Sequence, residues 1–203
     1  MLKILIAIPT YDRRIDIDLV RVLLNSERQG KYHLDFIFPV SSHLSRNRNL
    51  ACHKMLEVGY DYLLFLDSDL GIYDEAFIDK LLDTAYKFEA KIVGGAYRMR
   101  KPNLEETVYI AGMKKSDGTY GNLLKVDKPQ LCDAVGTGIM LIAREVIEKL
   151  PDPWFTIVDG KNLFVMPEDF LFCENAIKQG FKVAIDPRFI THHYGQFAWQ
   201  HTV

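Results

Sequence analysis

The sequence is poor in cysteine, and the few cysteines it has are not arranged as pairs. Its 203 residues contain three, Cys52, Cys132 and Cys173, which lie far apart and form no Cys-x-x-Cys motif. Disulfide frameworks and structural zinc sites need paired cysteines at short or regular spacing. We therefore expect buried, reduced thiols and a cytoplasmic protein.

An excess of positive charge and a long apolar run are also missing. Lys and Arg total 25 against 27 Asp and Glu, which gives a net charge of −2. Proteins that bind nucleic acid usually carry a basic surface, so we expect no nucleic-acid partner. No apolar run reaches membrane-spanning length, and the opening MLKILIAIPT lacks a signal-type cleavage site. We therefore expect no transmembrane segment.

The pattern of apolar residues predicts an α/β fold. In the first half, short apolar runs alternate with longer amphipathic stretches, which favours a mainly parallel central sheet flanked by helices. The second half is mixed: a hairpin is expected around Ser116-Asp117-Gly118, a helix over 168–179 and short strands at 183–185 and 189–190. No Ser-, Gly- or Pro-rich linker separates the halves. One domain over 1–203 is therefore the prediction.

The motif Asp67-Ser68-Asp69 directly follows the apolar run YLLFL. Ligands of open parallel sheets bind at the carboxyl ends of the strands, so these carboxylates are expected to face that crevice. Two carboxylates one residue apart can share a hard cation such as Mn²⁺ or Mg²⁺. The same residues can instead cap the turn into the next helix, and the motif alone does not separate the two interpretations.

Four segments in their order resemble the nucleotide-sugar-dependent glycosyltransferases of GT-A fold, especially the family 2-like group. They are ILIAIPTYDR, SRNRNLACHKMLEVGYDYLLFLDSDL, VGTGIMLIAREVIEKLPDPWF and EDFLFCENAIKQGFKVAIDPRFITHHYG. The resemblance implies a single GT-A (Rossmann-like) domain. Residues 1–100 would be its nucleotide-sugar-binding half, and residues 101–203 its acceptor-binding and catalytic half.

The resemblance implies that Asp67 and Asp69, with Ser68 between them, bind the divalent ion and the donor diphosphate. Pro9-Thr10-Tyr11 would lie against the base or ribose, where the ring of Tyr11 can stack. A strand-ending turn with one packed aromatic is the alternative for these three residues.

Two arginines begin the helix that follows the second apolar run. A helix N-terminus with basic side chains suits a diphosphate, and Arg46 is preferred over Arg48 because only one of the two can face the crevice. A solvated arginine is the alternative. The acidic residues usual in the family at the end of the second strand are replaced by Pro39-Val40-Ser41-Ser42. This departure leaves the base unassigned, and the expected donor is a UDP-, GDP- or dTDP-sugar.

The pair Glu168-Asp169 opens a predicted helix, where acidic residues commonly interact with the helix dipole. The resemblance implies instead that Asp169 is the general base. It would take the proton of an acceptor hydroxyl as that oxygen attacks the anomeric carbon. Glu168 would be a nearby acceptor contact, and an exchange of the two roles stays open.

A histidine near the end of the chain is the third expected metal ligand. The family pattern is His-x-Gly, and of His192 and His193 only the second has a glycine two residues on, Gly195. Imidazole with two carboxylates suits Mn²⁺ better than Mg²⁺. The alternative is a histidine pair that caps a strand or faces solvent.

Two further residues are candidates for sugar contacts. An exposed Trp154 can stack on a sugar ring, although tryptophan is more often a core residue. Gly138, like Gly136, allows a backbone to approach a ligand closely, or it marks a bulge.

The sequence therefore predicts a metal-dependent, inverting glycosyltransferase that moves a sugar from a nucleoside-diphosphate sugar to the hydroxyl of a glycan or other acceptor. Three alternatives remain. One is a retaining enzyme of the same fold. Another is a haloacid-dehalogenase-type phosphohydrolase, which carries its motif on the first strand, followed by Thr or Val rather than Leu70-Gly71. The third is a non-catalytic nucleotide-sugar-binding module, which would not need Glu168-Asp169.

Since the motifs run from Pro9 to His193, the acceptor site is expected to be shallow or completed by a partner domain or subunit.

Overall fold

The computed structural model describes residues 1–99, 108–123, 125–159 and 165–195. Within these ranges, no helix combines the length and the apolar character that crossing a membrane requires.

Strands from both halves of the chain build the sheets. Their bounds are β1 Lys3–Ala7, β2 His33–Ile37, β3 Tyr62–Leu66, β4 Leu70–Ile72, β5 Ile92–Gly95, β6 Ala111–Lys114, β7 Tyr120–Asn122, β8 Gln130–Cys132, β9 Ala134–Val135, β10 Ile139–Ala143, β11 Val158–Asp159, β12 Val165–Met166, β13 Val183–Asp186 and β14 Thr191–His193.

The described residues place seven strands in the main sheet, in the order β2-β1-β3-β10-β5-β13-β8. β1 is parallel to β2 and β3, and β5 is parallel to β13, whereas β10 and β8 run antiparallel to their neighbours. Five of the seven strands therefore point the same way, and the sheet is mostly parallel. Smaller sheets pair β6 with β7 and β9, β4 with β14, and β11 with β12.

In the described ranges, five helices connect these strands: α1 Ile17–Arg28, α2 Leu44–Val58, α3 Phe77–Phe88, α4 Arg144–Lys149 and α5 Glu168–Lys178. α1 begins after Asp16, whose carboxylate accepts a hydrogen bond from the backbone N–H of Asp18 at 2.9 Å. α2 ends at Gly59, which has a φ of 80° that favours glycine.

Each face of the main sheet is covered by helices. Within β1, Leu5 and Ala7 belong to the core shared with α2, α4 and α5, whereas Ile4 and Ile6 belong to the core shared with α1 and α3. Alternate residues of a strand point to opposite faces, so a strand covered on both sides is apolar throughout. All three cysteines are buried and free.

The structure corrects one predicted strand. Residues 189–190 are not in a strand, because Phe189 is buried against the ring of Phe77 and Ile190 is exposed. The ladder with β4 begins at Thr191, so that His193 lies opposite Leu70.

The topology brings distant parts of the chain to one edge of the sheet. The carboxyl ends of β1, β3 and β5 meet there. β10 is antiparallel to β3, so its amino end lies at the same edge, with Ile139 opposite Leu66. The residues after β3 and before β10 are therefore neighbours, and Asp67 donates its backbone N–H to the carbonyl of Gly138 at 2.9 Å.

Candidate active site

A cleft of about 320 Å³ opens at this edge of the sheet. Six of the residues predicted for donor binding line it, together with polar groups from the end of β2 and the start of α2. The lining residues are Pro9, Thr10, Tyr11, Ser41, Ser42, Leu44, Asn47, Asp67, Ser68 and Asp69.

The wall next to β1 is built by a short extension of the β1–β2 pairing. Thr10 donates its backbone N–H to the carbonyl of Pro39 at 3.0 Å, and its buried hydroxyl donates to the carboxylate of Asp12 at 3.1 Å. The next side chain, Tyr11, is 77% exposed. Its ring is therefore accessible at the mouth of the cleft.

Backbone hydrogen bonds fix the Asp67-Ser68-Asp69 segment on both sides. The carbonyl of Ser68 accepts from the N–H of Asp16 at 2.8 Å, and the carbonyl of Asp69 accepts from the N–H of Tyr194 at 2.9 Å. The two carboxylates are thus carried on a well-anchored turn between β3 and β4.

His193 lies beside the second of these carboxylates. Its Nε2 is 3.6 Å from Oδ1 of Asp69, and its Nδ1 is 2.9 Å from the carbonyl oxygen of Arg98. When Nδ1–H donates to that carbonyl, the neutral ring keeps its lone pair on Nε2, directed toward Asp69. Metal-ligating histidines are usually oriented in this way, with the other ring nitrogen held by a carbonyl or carboxylate.

Two of the predicted ligands are placed so that they could bind one divalent cation together. Asp69 offers a carboxylate oxygen and His193 an imidazole nitrogen, both suitable for Mn²⁺. In the described ranges, no group of three His, Cys, Asp or Glu side chains converges as a complete metal site. Asp67 lines the same cleft without completing such a group.

The predicted base lies in the first turn of α5. Asp169 accepts the backbone N–H of Phe170 at 2.8 Å. Burial raises its pKa to about 6, although Arg48 opposes the rise; the charge of Glu168 adds to it. A carboxylate with a pKa near 6 is ionised at neutral pH and more basic than an ordinary aspartate, which suits proton abstraction.

Glu168 is engaged by the arginine that was not preferred from the sequence. Arg48 forms an ion pair and hydrogen bond with it, and only 4% of the Arg48 side chain is exposed. The guanidinium also lies 5.8 Å from the centre of the Phe155 ring. Residues two positions apart on a helix point in different directions, and here Arg48 is the one that points into the protein.

Arg46, the arginine preferred for the diphosphate, is exposed and lines a neighbouring cleft of about 860 Å³. That cleft shares Ser41, Ser42 and Asn47 with the first one. A contact between Arg46 and a donor stays a prediction.

We predict that Arg48→Met lowers the free energy of unfolding by about 3 kcal/mol, because Glu168, whose side chain is only 15% exposed, is left without its cation. The double variant Arg48→Met/Glu168→Gln should recover most of that loss. Urea unfolding at pH 7 measures both. Arg21→Met is the control, since its ion pair with Asp18 is exposed and should contribute less than about 1 kcal/mol. Equal losses in Arg48→Met and Arg21→Met would contradict the prediction.

Of the two interpretations of Trp154, the structure contradicts the exposed sugar-stacking residue and supports the core residue. It is buried at 6% exposure, and its indole N–H donates to the carbonyls of Ile147 and Leu150 at 2.8 and 3.1 Å. The ring therefore fastens the segment after α4 to that helix and is a core residue.

Gly138 has a packing role that the sequence did not indicate. A Cβ at this position would lie 2.5 Å from Cζ of Tyr97, so the absence of a side chain makes room for that ring. The N–H of Gly138 donates to the hydroxyl of Tyr97 at 2.9 Å. The close approach is thus to a side chain of the protein itself.

Tyr97 is the functional candidate that sequence reasoning missed. It is 3% exposed, and burial raises its pKa, as do the charges of Asp67 and Asp169. Both carboxylates therefore lie within electrostatic reach of one phenol. The sequence indicates this residue only indirectly, through Gly136 and Gly138, which leave room for a large ring to pack against them.

Comparison with known proteins bears on the fold. No protein-family model matches the chain, and no curated protein matches it in sequence. Among solved structures it is similar to A197 from STIV, at 19% identity and a TM-score of 0.69, over 96% of this chain and 87% of that one. At this identity the likeness shows the fold alone. The predicted fold class is confirmed, a mostly parallel sheet flanked by helices that is consistent with a GT-A-like fold.

Proposed function

We propose that this chain is a glycosyltransferase that moves a sugar from a nucleoside-diphosphate sugar to an acceptor hydroxyl with the help of a divalent cation. One observation carries the proposal. The Asp67-Ser68-Asp69 turn, an imidazole 3.6 Å from Asp69 and the half-buried carboxylate Asp169 converge on one edge of the sheet. Such convergence supports donor binding and proton abstraction in a single site.

The donor would occupy the cleft between the ends of β1, β2 and β3. The exposed ring of Tyr11 can stack on a base, and the hydroxyls of Ser41 and Ser42 offer neutral hydrogen-bonding groups. Asp69 and His193, with Asp67 beside them, would hold Mn²⁺ or Mg²⁺. The cation would supply neutralisation of the charge on the departing diphosphate, whose own oxygens would complete the donor set.

Asp169 would accept the proton of the acceptor hydroxyl. Its carboxylate forms no ion pair within the described part of the chain, whereas Glu168 is paired with Arg48. This difference favours Asp169 over Glu168 as the base. A base on the acceptor side, opposite the leaving diphosphate, corresponds to in-line displacement with inversion at the anomeric carbon.

The test is a thermal-shift screen with UDP-glucose, GDP-mannose and dTDP-glucose, each with and without Mn²⁺. A ligand at 100 times its Kd stabilises the folded state by about 2.7 kcal/mol, which is a shift of several degrees. We expect that shift with one nucleotide only, and only when Mn²⁺ is present. Release of the nucleoside diphosphate then separates an enzyme from a binding module. Absence of a shift with every combination would contradict the proposal.

A further inference from the structure

The turn at residues 136–138 connects the two acidic elements of the site through its backbone. The carbonyl of Gly138 accepts the N–H of Asp67 at 2.9 Å. One residue earlier, the backbone N–H of Thr137 lies close enough to the carboxylate of Asp169 to lower its pKa. A movement of this turn therefore displaces the metal-binding segment and the base relative to each other.

The turn is built around the phenol of Tyr97. Gly138 donates its N–H to the phenolic oxygen at 2.9 Å, and both flanking glycines leave room for the ring. A buried N–H without an acceptor is costly, so the hydroxyl is the group that fixes this part of the turn.

The neighbours of Tyr97 also hold the strand that carries the imidazole. The carbonyl of Ala96 accepts from the hydroxyl of Thr191 at 3.0 Å, and the carbonyl of Arg98 lies 2.9 Å from Nδ1 of His193. The rings of Tyr97 and His193 meet edge to face with their centres 5.5 Å apart. The segment 96–98 thus contacts the metal-binding side as well as the turn.

We propose that Tyr97 is a positioning residue whose hydroxyl, through the 136–138 turn, sets the position of Asp169 relative to Asp67. The inference rests on the proposed function. Tyr97 does not itself exchange a proton with substrate in this proposal. It acts because a misplacement of about 1 Å between a base and its target costs about a hundredfold in rate.

The test compares Tyr97→Phe with Tyr60→Phe. Each substitution removes one oxygen from a buried ring. Tyr60 is 5% exposed, donates to the carboxylate of Asp35 at 2.8 Å and lies before β3, at the opposite end of that strand from Asp67. The two variants should lose similar stability, because each loses one hydrogen bond. Their effects on the reaction should differ.

The reaction is followed as nucleoside-diphosphate release from UDP-glucose, GDP-mannose or dTDP-glucose with Mn²⁺, water being the acceptor. We expect kcat of Tyr97→Phe to fall at least about tenfold, with the KM for donor and the Mn²⁺-dependent thermal shift close to those of the parent. Tyr60→Phe should keep the parental kcat. A parental kcat in Tyr97→Phe, or an equal fall in both variants, overturns the inference alone. A parent that releases no diphosphate from any donor overturns the proposed function as well.

Discussion

Replacing Asp169 by asparagine is expected to reduce glycosyl transfer by at least about a hundredfold while donor binding is retained. Loss of a positioned general base typically costs about 10²–10⁴ in rate. Asparagine keeps the shape of the side chain but accepts no proton. The measurement is kcat for nucleoside-diphosphate release, together with the thermal shift produced by donor and Mn²⁺. The shift should match that of the parent.

The same substitution should stabilise the fold above pH 6. In the folded state the pKa of Asp169 is raised from 3.8 to about 6, mainly by burial. Between about pH 4 and pH 6 the folded protein therefore keeps a proton that the unfolded chain has released, so stability falls as the pH rises through this range and stays at the lower value above pH 6. An asparagine side chain does not ionise, so the Asp169→Asn variant should be more stable at pH 8 by on the order of 2 kcal/mol. The difference should vanish near pH 4.

Glu168→Gln is the matched control for this base. It should lose stability through its broken pair with Arg48, yet keep more activity than Asp169→Asn. Transfer by Asp169→Asn at the parental rate would show that another group is the base. A large rate loss confined to Glu168→Gln would exchange the two roles.

Replacing Asp69 by alanine is expected to abolish both transfer and the Mn²⁺-dependent stabilisation by donor. Among the described residues, Asp69 is the carboxylate paired with His193, and its removal leaves the imidazole without that second donor. The side chain is 37% exposed, so the fold itself should change by less than about 1 kcal/mol. Calorimetric titration with Mn²⁺ and the donor found in the screen measures the loss.

Asp127→Ala controls for the removal of one negative charge. Asp127 is 69% exposed and pairs only with Lys125 in the described part of the chain. This variant should bind Mn²⁺ and donor as the parent does. If Asp69→Ala retains parental Mn²⁺ affinity, the cation is held elsewhere and the assignment of Asp69 and His193 is wrong.

The pattern of apolar residues predicted the strand that carries the acidic motif well. The run YLLFL is β3 with the bounds read from the sequence, because a parallel strand covered on both faces is apolar at nearly every position. The location of Asp67-Ser68-Asp69 at a cleft followed directly, since open sheets bind ligands at the carboxyl ends of their strands.

Other features depended on contacts that sequence spacing does not encode. Arg46 and Arg48 look equivalent in the sequence, and the burial of Arg48 results from Glu168, 120 residues later. Trp154 is next to prolines, which are common in surface loops. The carbonyls of Ile147 and Leu150 nevertheless accept its indole N–H. In both cases the deciding partner is a group brought near by folding.

By itself the sequence determined the fold class, the strand that presents the acidic motif and the residue types available for a metal and a base. Each follows from local periodicity or from the chemistry of a side chain. Only the tertiary structure decided which of these groups meet: β10 runs antiparallel to β3 and thereby brings the 136–138 turn, and Asp169 with it, to Asp67. Tyr97 packs against that turn because its glycines leave room for the ring.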